Sequence, residues 1–152
     1  QSRPISRVPR PCAARHVRHG LFYRADILVA LIPEARDIAD RLHHVGPLNT
    51  AQWQTLGRAV RRLHDAQVFH SDLNCHNLML DNDDRAWIVD FDKCGFQPGD
   101  RWKADNLARL QRSLRKELRL DPALHWQASD WLLFTAGYEA KPEPAADPAS
   151  GR

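Results

Sequence analysis

The chain has 152 residues, of which 43% are hydrophobic and 27% are charged, and its formal net charge is +3. This length and balance predict one globular domain with a hydrophobic core, and they exclude a disordered or fibrous polypeptide. No apolar run is long enough for a transmembrane helix, and three cysteines without a Cys-x-x-Cys pair are typical of reduced thiols in a cytoplasmic protein.

The first elements predicted along the chain are an extended opening and a β-hairpin. Residues 1–11 are rich in proline and arginine, which favours extended backbone. Two β-prone runs then flank His19 and Gly20, a pattern that predicts a hairpin. A short helix is predicted within 35–44, before a Gly-Pro break.

The clearest helix follows in "NTAQWQTLGRAVRRLHDA". Asn49 is predicted to cap it, because Gln52 follows three residues later as in a capping box. Four large apolar side chains share one face and should pack against the domain: Trp53, Leu56, Val60 and Leu63.

The second half of the chain predicts a small hairpin and two more helices. Two short apolar runs, "NLMLD" and "AWIVDFD", are separated by 82–84, which is a hairpin signal. A basic helix is predicted over 101–118 and a last helix over 126–138, while the Pro/Ala-rich tail is predicted to be disordered. Helices with a few antiparallel strands indicate the α+β class.

The positive charge is concentrated in two stretches. Six arginines and no acidic residue precede Asp26, and seven Lys/Arg side chains lie between Arg101 and Leu120 against two acidic ones. Such stretches indicate an anionic partner, such as nucleotide phosphates, acidic lipids or nucleic acid, or a solvated arginine-rich surface.

Three oxygen-bearing side chains in and after the polar loop "FHSDLNCHNLMLD" suggest a magnesium site. Asn77 lies five residues after Asp72, and Asp90 follows the β-prone run "AWIV". Asn77 and Asp90 offer the hard oxygen ligands that suit Mg²⁺ bound to phosphates. Asp72 could then orient an attacking hydroxyl and accept its proton, unless the loop is merely solvated.

The order of these residues resembles the protein-kinase catalytic core. His-x-Asp-Leu-x-x-x-Asn occurs as His70 to Asn77, and Asp-Phe-Gly occurs as Asp90-Phe91-Asp92. The resemblance implies that Asp72 is the catalytic base and that Asn77 and Asp90 hold the metal. His70 is expected to support the loop by packing and hydrogen bonding rather than to transfer protons.

Four departures from the protein-kinase pattern narrow the prediction, and the last of them, a short segment after Asp92, favours a small-molecule, sugar or lipid hydroxyl as the acceptor. Ser71 replaces the arginine that pairs with a phosphorylated activation loop, and Asp92 replaces the glycine of Asp-Phe-Gly. Asn74 stands where protein kinases often carry a phosphate-facing lysine, so Lys93 or His76 could supply that charge. Only about ten residues separate Asp92 from the next helix, and no Ala-Pro-Glu element follows.

Four segments resemble the lipopolysaccharide kinase family, in particular its 3-deoxy-D-manno-octulosonic acid (Kdo) kinases: "RHGLFYRADILVALIPEARDIADRL", "HSDLNCHNLMLD", "WIVDFDKC" and "RWKADNLARLQRSLRKE". The resemblance implies ATP-dependent phosphorylation of the 4-hydroxyl of Kdo on a lipid A precursor, Kdo-lipid IVA. It also implies a place at the cytoplasmic face of the inner membrane, in lipopolysaccharide core synthesis.

Within this resemblance the chain divides into three parts. Residues 1–32 would be a remnant of the N-terminal lobe and the hinge, 33–138 the mainly helical C-terminal lobe, and 139–152 the disordered tail. No Gly-rich phosphate loop or Val-Ala-x-Lys strand occurs, and the only methionine is Met79, so a piece of a longer kinase is expected. Such a piece would bind ATP weakly and turn over little by itself.

The same resemblance suggests contacts for the nucleotide and the acceptor. The hinge strand would meet adenine near Val29, Ala30 and Leu31. Three cations close in sequence to the proposed site are candidates for acceptor binding: Lys93, Arg101 and Lys103. No nucleic acid is expected as a partner, because the basic stretches lack interleaved aromatic residues and any known module.

The basic helix also predicts a surface. Leu107, Leu110, Leu114 and Leu118 share one side, which should pack on the domain. The other side carries Arg109, Arg112, Arg115, Lys116 and Arg119, a cationic face that suits an anionic membrane surface or is simply solvated.

Three alternatives to a Kdo kinase stay open on the sequence alone. A kinase of aminoglycoside-type molecules would need an acidic pocket for a cationic substrate, which the basic stretches disfavour. A pseudokinase that only binds nucleotide or a partner is disfavoured by the retention of Asp72, Asn77 and Asp90. A zinc site would have to use His70, Cys75, His76 and Cys94, whose spacing matches no familiar zinc motif.

Overall fold

The computed structural model describes residues 35–141, together with the backbone of four short upstream strands. Residues 1–10 of the predicted extended opening, Ala30 and Leu31 of the predicted adenine contact, and all of the predicted disordered tail beyond Lys141 lie outside the described residues.

The four upstream strands form two antiparallel pairs. Strand β1 (Pro11–Ala13) pairs with β4 (Leu28–Val29), and Val29 lies opposite Pro11. Strands β2 (Arg18–His19) and β3 (Phe22–Tyr23) pair with His19 opposite Phe22. This second pair confirms the hairpin predicted around His19 and Gly20.

The first helix, α1 (Ile38–His44), confirms the short helix predicted within 35–44. The Asp37 carboxylate accepts a hydrogen bond from the Asp40 backbone N–H at 2.7 Å, which caps the helix. Upstream of it, Arg36–Asp37 form strand β5 instead of a helical turn, because they pair with a later strand.

Helix α2 (Thr50–Asp65) has the predicted capping box. The Asn49 side chain accepts from the Gln52 backbone N–H, and the Gln52 side chain accepts from the Asn49 backbone N–H, each at 2.8 Å. The predicted apolar face is confirmed as core, because Trp53, Leu56, Val60 and Leu63 are all buried.

A three-stranded antiparallel sheet has the order β5-β7-β8. Strands β7 (Leu78–Leu80) and β8 (Ala86–Ile88) form the predicted hairpin, with Leu78 opposite Ile88. The Asp81 carboxylate accepts hydrogen bonds from the backbone N–H groups of Asp83 and Arg85, which stabilises the turn.

Two strands that the sequence pattern did not predict flank the polar loop and the segment after Asp90. Strand β6 (Val68–Phe69) pairs antiparallel with β9 (Gly95–Phe96), and Phe69 lies opposite Gly95. This ribbon holds the entry to the polar loop beside the segment that follows the Asp-Phe-Asp sequence.

Helix α3 (Arg101–Leu120) is amphipathic in the predicted sense. Leu110 and Leu114 are buried, and Leu107 and Leu118 are partly buried against the core. The five predicted outward cations are all exposed: Arg109, Arg112, Arg115, Lys116 and Arg119. The described helices include none that is both long and apolar enough to cross a membrane.

Helix α4 (Ala128–Glu139) begins two residues later than predicted and crosses α2 closely. A Cβ atom at Gly57 of α2 would overlap the backbone oxygen of Phe134, and a Cβ atom at Gly137 would overlap the backbone oxygen of Gln54. Two glycines therefore allow the two helix backbones to touch. The described architecture is α+β, as the sequence predicts.

Candidate active site

His70 links the polar loop to the strand that precedes Asp90. Its ring is fully buried, Nδ1 accepts from the Asp72 backbone N–H at 3.2 Å, and Nε2 lies 2.9 Å from the Val89 oxygen. Because Nδ1 accepts, Nε2 carries the hydrogen and donates to Val89. Burial lowers the pKa of His70, so the ring is neutral and supports the backbone of the loop, as the sequence analysis expects.

Asn77 and Asp90 are brought together by the β7–β8 hairpin. The Val89 backbone N–H donates to the Asn77 backbone oxygen at 3.0 Å, so Asp90 lies one residue beyond the residue that pairs with Asn77. Asn77 Nδ2 donates to the Asp72 backbone oxygen at 2.7 Å. The amide nitrogen is therefore already used, which leaves Oδ1 as the atom that a metal ion would meet.

The backbone of Asp90 adopts a left-handed conformation, with φ of 61°. Left-handed backbone is uncommon for residues other than glycine and is found at functional sites, where the surrounding structure holds it. Here the flanking residue Val89 is fixed by hydrogen bonds to His70 and Asn77. The Asp90 side chain is exposed, so a carboxylate is presented at the open side of the loop.

Asp72 presents its carboxylate to solvent beside a cation of α3. Its side chain is 56% exposed, and Oδ1 lies 3.8 Å from a guanidinium nitrogen of Arg109. Arg109 also has Asp105 one turn earlier on its own helix, yet the ion pair in the structure is with Asp72. An exposed carboxylate next to a cation is suited to orient a hydroxyl group and to take its proton.

A buried chain of hydrogen bonds supports the loop from below. Asn106 of α3 donates from Nδ2 to the His70 backbone oxygen at 2.8 Å and accepts through Oδ1 from His64 Nε2 at 2.9 Å. His64 Nδ1 then accepts from the Tyr138 hydroxyl at 2.7 Å. Burial lowers the pKa of His64 to about 4, so this ring is neutral in the chain of contacts.

The far side of the loop is also held by α3. The Cys75 backbone N–H donates to Ser113 Oγ at 2.9 Å, and His76 Nε2 lies 2.9 Å from Glu117. The other Glu117 oxygen lies 3.0 Å from His43 Nε2. The hydrogen bond to His43, with a further one to His76, lowers the pKa of Glu117, while the bonds to Glu117 and Asp121 raise that of His43.

An open cavity of about 380 Å³ lies against Asp72. Its walls come from the polar loop and from α3, and it falls within the size range of small-molecule sites. The lining residues are Asp72, Asn74, His76, Arg109, Arg112, Ser113, Lys116, Glu117 and Arg119.

The three cations proposed from sequence as acceptor contacts lie elsewhere. None of Lys93, Arg101 and Lys103 is among the described residues that line this cavity. Lys93 is exposed with φ of 59°, and Arg101 is exposed at the start of α3. Lys103 pairs with Asp100 and lies over the Trp102 ring. These assignments remain predictions without support from the cavity.

The zinc alternative does not assemble from the four residues that the sequence offered. Both ring nitrogens of His70 are engaged in backbone hydrogen bonds, and burial raises the pKa of the Cys75 thiol to about 11. Within residues 35–141, Cys75 and His76 come together only with Glu117, whose oxygens are already bound to two histidines.

Several residues of the site were missed by sequence reasoning. Asn106, Ser113 and Glu117 interrupt the apolar side of α3 with polar side chains, and that interruption is the signal that could have indicated contacts to the loop. Arg109 was predicted to be exposed, but its approach to Asp72 depends on tertiary structure.

Comparison with known proteins decides the family. The model of the lipopolysaccharide kinase (Kdo/WaaP) family matches residues 5–138, nearly the whole chain. The chain belongs to this lipopolysaccharide kinase family. The resemblance stated from the sequence motifs is thereby confirmed.

Curated relatives in this family carry the name 3-deoxy-D-manno-octulosonic acid kinase. The protein from Photobacterium profundum is 48% identical over 132 residues, 87% of this chain and 55% of the relative. The protein from Vibrio cholerae serotype O1 is 50% identical over 111 residues, 73% of this chain and 47% of the relative. The protein from Haemophilus influenzae (strain 86-028NP) is 42% identical over 137 residues, which are 86% of this chain and 56% of the relative.

This lipopolysaccharide kinase chain spans about half the length of these curated relatives. Its polar loop, Asn77, Asp90 and the cavity lie within the matched region.

Proposed function

We propose that the protein transfers the γ-phosphate of ATP to the 4-hydroxyl of a Kdo residue on a lipid A precursor, Kdo-lipid IVA. The observation that carries this proposal is the exposed carboxylate of Asp72, which lines a cavity rich in cations, while the Asp72 backbone oxygen accepts a hydrogen bond from Asn77 Nδ2. The shared family and the names of the relatives support Kdo as the acceptor and a role in lipopolysaccharide core synthesis.

In this proposal Asp72 orients the acceptor hydroxyl and takes its proton. The hydroxyl oxygen forms a bond to the γ-phosphorus as the bond from that phosphorus to the β-phosphate oxygen breaks, and ADP leaves. The Asp72 backbone is held by His70 and by Asn77, which fixes the main chain from which the carboxylate projects.

Asn77 and Asp90 would hold Mg²⁺ on the ATP phosphates. An amide oxygen and a carboxylate are the hard ligands that Mg²⁺ accepts in small number, with water and phosphate oxygens completing its shell. Bound there, the ion would neutralise charge on the transferred phosphate. The nucleotide base is proposed to meet the chain near Val29, Ala30 and Leu31, and an anionic membrane surface is proposed to meet the outward cations of α3.

Arg109 is the cation that we assign beside the transferred phosphate. Protein kinases often supply a lysine there, and this chain has Asn74 at that position. Of the two replacements suggested by sequence, His76 is bound to Glu117 and Lys93 does not line the cavity. Arg109 lines it and lies 3.8 Å from Asp72.

The test is phosphate transfer by the complete gene product with Mg-ATP and Kdo-lipid IVA, followed by mass spectrometry. We expect one added phosphate, and a loss of about 10²- to 10⁴-fold in kcat for Asp72→Asn, the range that a general base contributes. Asp83→Asn is the matched control, because this carboxylate is exposed in the β7–β8 turn away from the site.

The two variants separate the possible outcomes. Retained transfer by folded Asp72→Asn would contradict the assignment of the base. Absence of transfer by a folded wild-type protein that binds ATP would contradict Kdo as the acceptor.

A further inference from the structure

The cavity beside Asp72 carries an excess of positive charge. Two of its lining side chains are acidic, Asp72 and Glu117. Four are cationic: Arg109, Arg112, Lys116 and Arg119. All four cations come from one helix, α3. A pocket of this kind attracts an anionic ligand and repels a cationic one.

Three of the four cations form no ion pair within residues 35–141. Arg112, Lys116 and Arg119 are exposed, and Arg109 alone pairs with an acid. Arg112 and Lys116 are four residues apart, so they are neighbours of like charge on the helix surface, an arrangement that destabilises a helix slightly. A bound anion would relieve this repulsion.

Glu117 does not neutralise these cations. One of its oxygens lies 3.0 Å from His43 Nε2 and the other 2.9 Å from His76 Nε2. The carboxylate is thus directed toward two histidines, and the bonds to Glu117 and Asp121 raise the pKa of His43, which favours its charged form.

The position of the cations along α3 gives the cavity a direction. Arg109 lies next to the proposed base, and Arg119 lies ten residues further, about 15 Å along a helix that rises about 1.5 Å per residue. Arg112 and Lys116 fall between them. A ligand whose hydroxyl reaches Asp72 would therefore extend its other groups past Arg112 and Lys116.

We propose that Arg112 and Lys116 form the subsite that selects the acceptor by its anionic groups. The ligand class is a sugar acid or a phosphorylated saccharide. Its carboxylate or phosphate lies on the same sugar as the reacting hydroxyl or on a sugar one or two glycosidic bonds away. This inference rests on the proposed function and adds to it the residues that recognise the acceptor.

The experiment measures transfer by the complete gene product, with Kdo-lipid IVA dispersed in neutral detergent micelles. We expect Arg112→Ala and Lys116→Ala each to raise KM for the acceptor about tenfold, equivalent to the loss of one charged contact. Both kcat and KM for ATP should stay within about twofold of wild type, because within residues 35–141 neither side chain forms a hydrogen bond or ion pair with Asp72, Asn77 or Asp90. Arg112→Lys should recover part of the loss.

Arg115→Ala is the matched control. Arg115 is an exposed cation on the same helix that does not line the cavity, so the same net charge is removed from a different position. We expect its KM for the acceptor to equal that of the wild type, because neutral micelles offer no anionic surface to the outward cations and Arg115 does not line the cavity. Equal effects of Arg112→Ala and Arg115→Ala would overturn the subsite, since net charge alone would then explain them.

Two modified acceptors distinguish the sources of the anion. If Arg112 binds the carboxylate, esterifying it should remove the difference in acceptor KM between wild type and Arg112→Ala. Removing the phosphates should leave that difference in KM unchanged. If a phosphate is read, the two results should be reversed. An effect of Arg112→Ala confined to binding of anionic vesicles, with KM in neutral micelles unchanged, would overturn the proposal in favour of a membrane contact.

Failure of this inference differs from failure of the proposed function. Transfer by the wild type with unchanged KM in both cavity variants would remove the subsite and leave the Kdo kinase activity standing. Absence of any transfer by the folded wild type would overturn both.

Discussion

Asn106 connects the polar loop to the helical body through one side chain. It is 2% exposed, donates to the His70 oxygen and accepts from His64, so both ends of its amide are used. Buried polar groups that lose a partner cost about 1–3 kcal/mol each. The residue therefore supports the loop although it touches no reacting atom.

Asn106→Ala should destabilise the protein and loosen the loop. The change leaves the His70 oxygen and the His64 N–H without their partners, so we expect the free energy of unfolding to fall by about 2–4 kcal/mol. Urea unfolding followed by circular dichroism measures this change, and kcat should fall while KM for ATP changes little.

The matched variants for Asn106→Ala are Arg115→Ala and Asn106→Asp. The first removes an exposed side chain from the same helix and should change stability by less than about 0.5 kcal/mol. Asn106→Asp keeps an oxygen that accepts from His64 Nε2. When ionised, however, the new carboxylate has no N–H or O–H to donate to the His70 backbone oxygen. A fully stable Asn106→Ala would contradict the support role.

At the scale of the elements, local signals and long-range pairing differ in how far they can be predicted. The capping box at Asn49 and the apolar periodicity of α2 and α3 depend on residues near each other in sequence, and both were predicted. Strands β5, β6 and β9 have two residues each and exist only through partners in other parts of the chain. Such short strands carry no alternation that a sequence pattern could reveal.

The crossing of α2 and α4 supplies a prediction at this scale. Helix propensity alone favours Gly57→Ala by about 1 kcal/mol, because glycine is a poor helix former. The structure predicts the opposite sign, since the new Cβ would overlap the Phe134 oxygen and lie 2.7 Å from the Tyr138 nitrogen. We expect a loss of about 1–3 kcal/mol, as for other overpacked interiors.

Thermal and urea unfolding of Gly57→Ala decide between the two signs. Arg62→Ala is the control on the same helix, because its side chain is exposed and should change stability by less than about 0.5 kcal/mol. A gain in the stability of Gly57→Ala would show that the two helix backbones are further apart than this crossing requires.

At the scale of the whole molecule, buried His64 should make global stability depend on pH. Burial lowers the pKa of His64 to about 4 in the folded protein, against 6.5 for an ordinary histidine. As pH falls, the His64 ring therefore binds a proton near pH 6.5 in the unfolded chain but only near pH 4 in the folded chain. Stability should fall as pH decreases through this window, by a total on the order of 3 kcal/mol from this residue.

His43 acts in the opposite sense. Its pKa is raised by hydrogen bonds to Glu117 and then Asp121. Its contribution to the free energy of unfolding is therefore present below pH 6.5 and is lost as pH rises through the pKa of His43 in the folded protein. The net slope between about pH 7 and pH 5 is expected to follow His64, whose ring is fully buried, because His43 and its partners are partly exposed.

Urea unfolding at a series of pH values isolates the two histidines. His64→Gln keeps an N–H donor for Asn106 but cannot take up a proton, so it should flatten the decline in stability between about pH 7 and pH 5. His43→Gln should steepen that decline. Equal slopes for wild type and His64→Gln would contradict the assignment to His64.

The loop motif predicts the chemistry of the site, and only the fold supplies its surroundings. The roles of Asp72, Asn77 and Asp90 stay predictions from that motif, and the hairpin register brings Asn77 and Asp90 together. The cavity could not be predicted, because its cations are placed beside Asp72 by the docking of α3. The sequence points to cations near the motif, such as Lys93, whereas Arg112 is distant from Asp72 in sequence and lines the same cavity.

The contact between Gly57 and α4 has a consequence for synthesis on the ribosome. The backbone atoms that approach Gly57 belong to Phe134, Gly137 and Tyr138, so α2 is synthesised well before the helix that covers it. At about 5–20 residues per second the nascent α2 waits several seconds without that cover. Transiently exposed apolar surface is prone to aggregation, so faster synthesis of α4 shortens the interval of exposure.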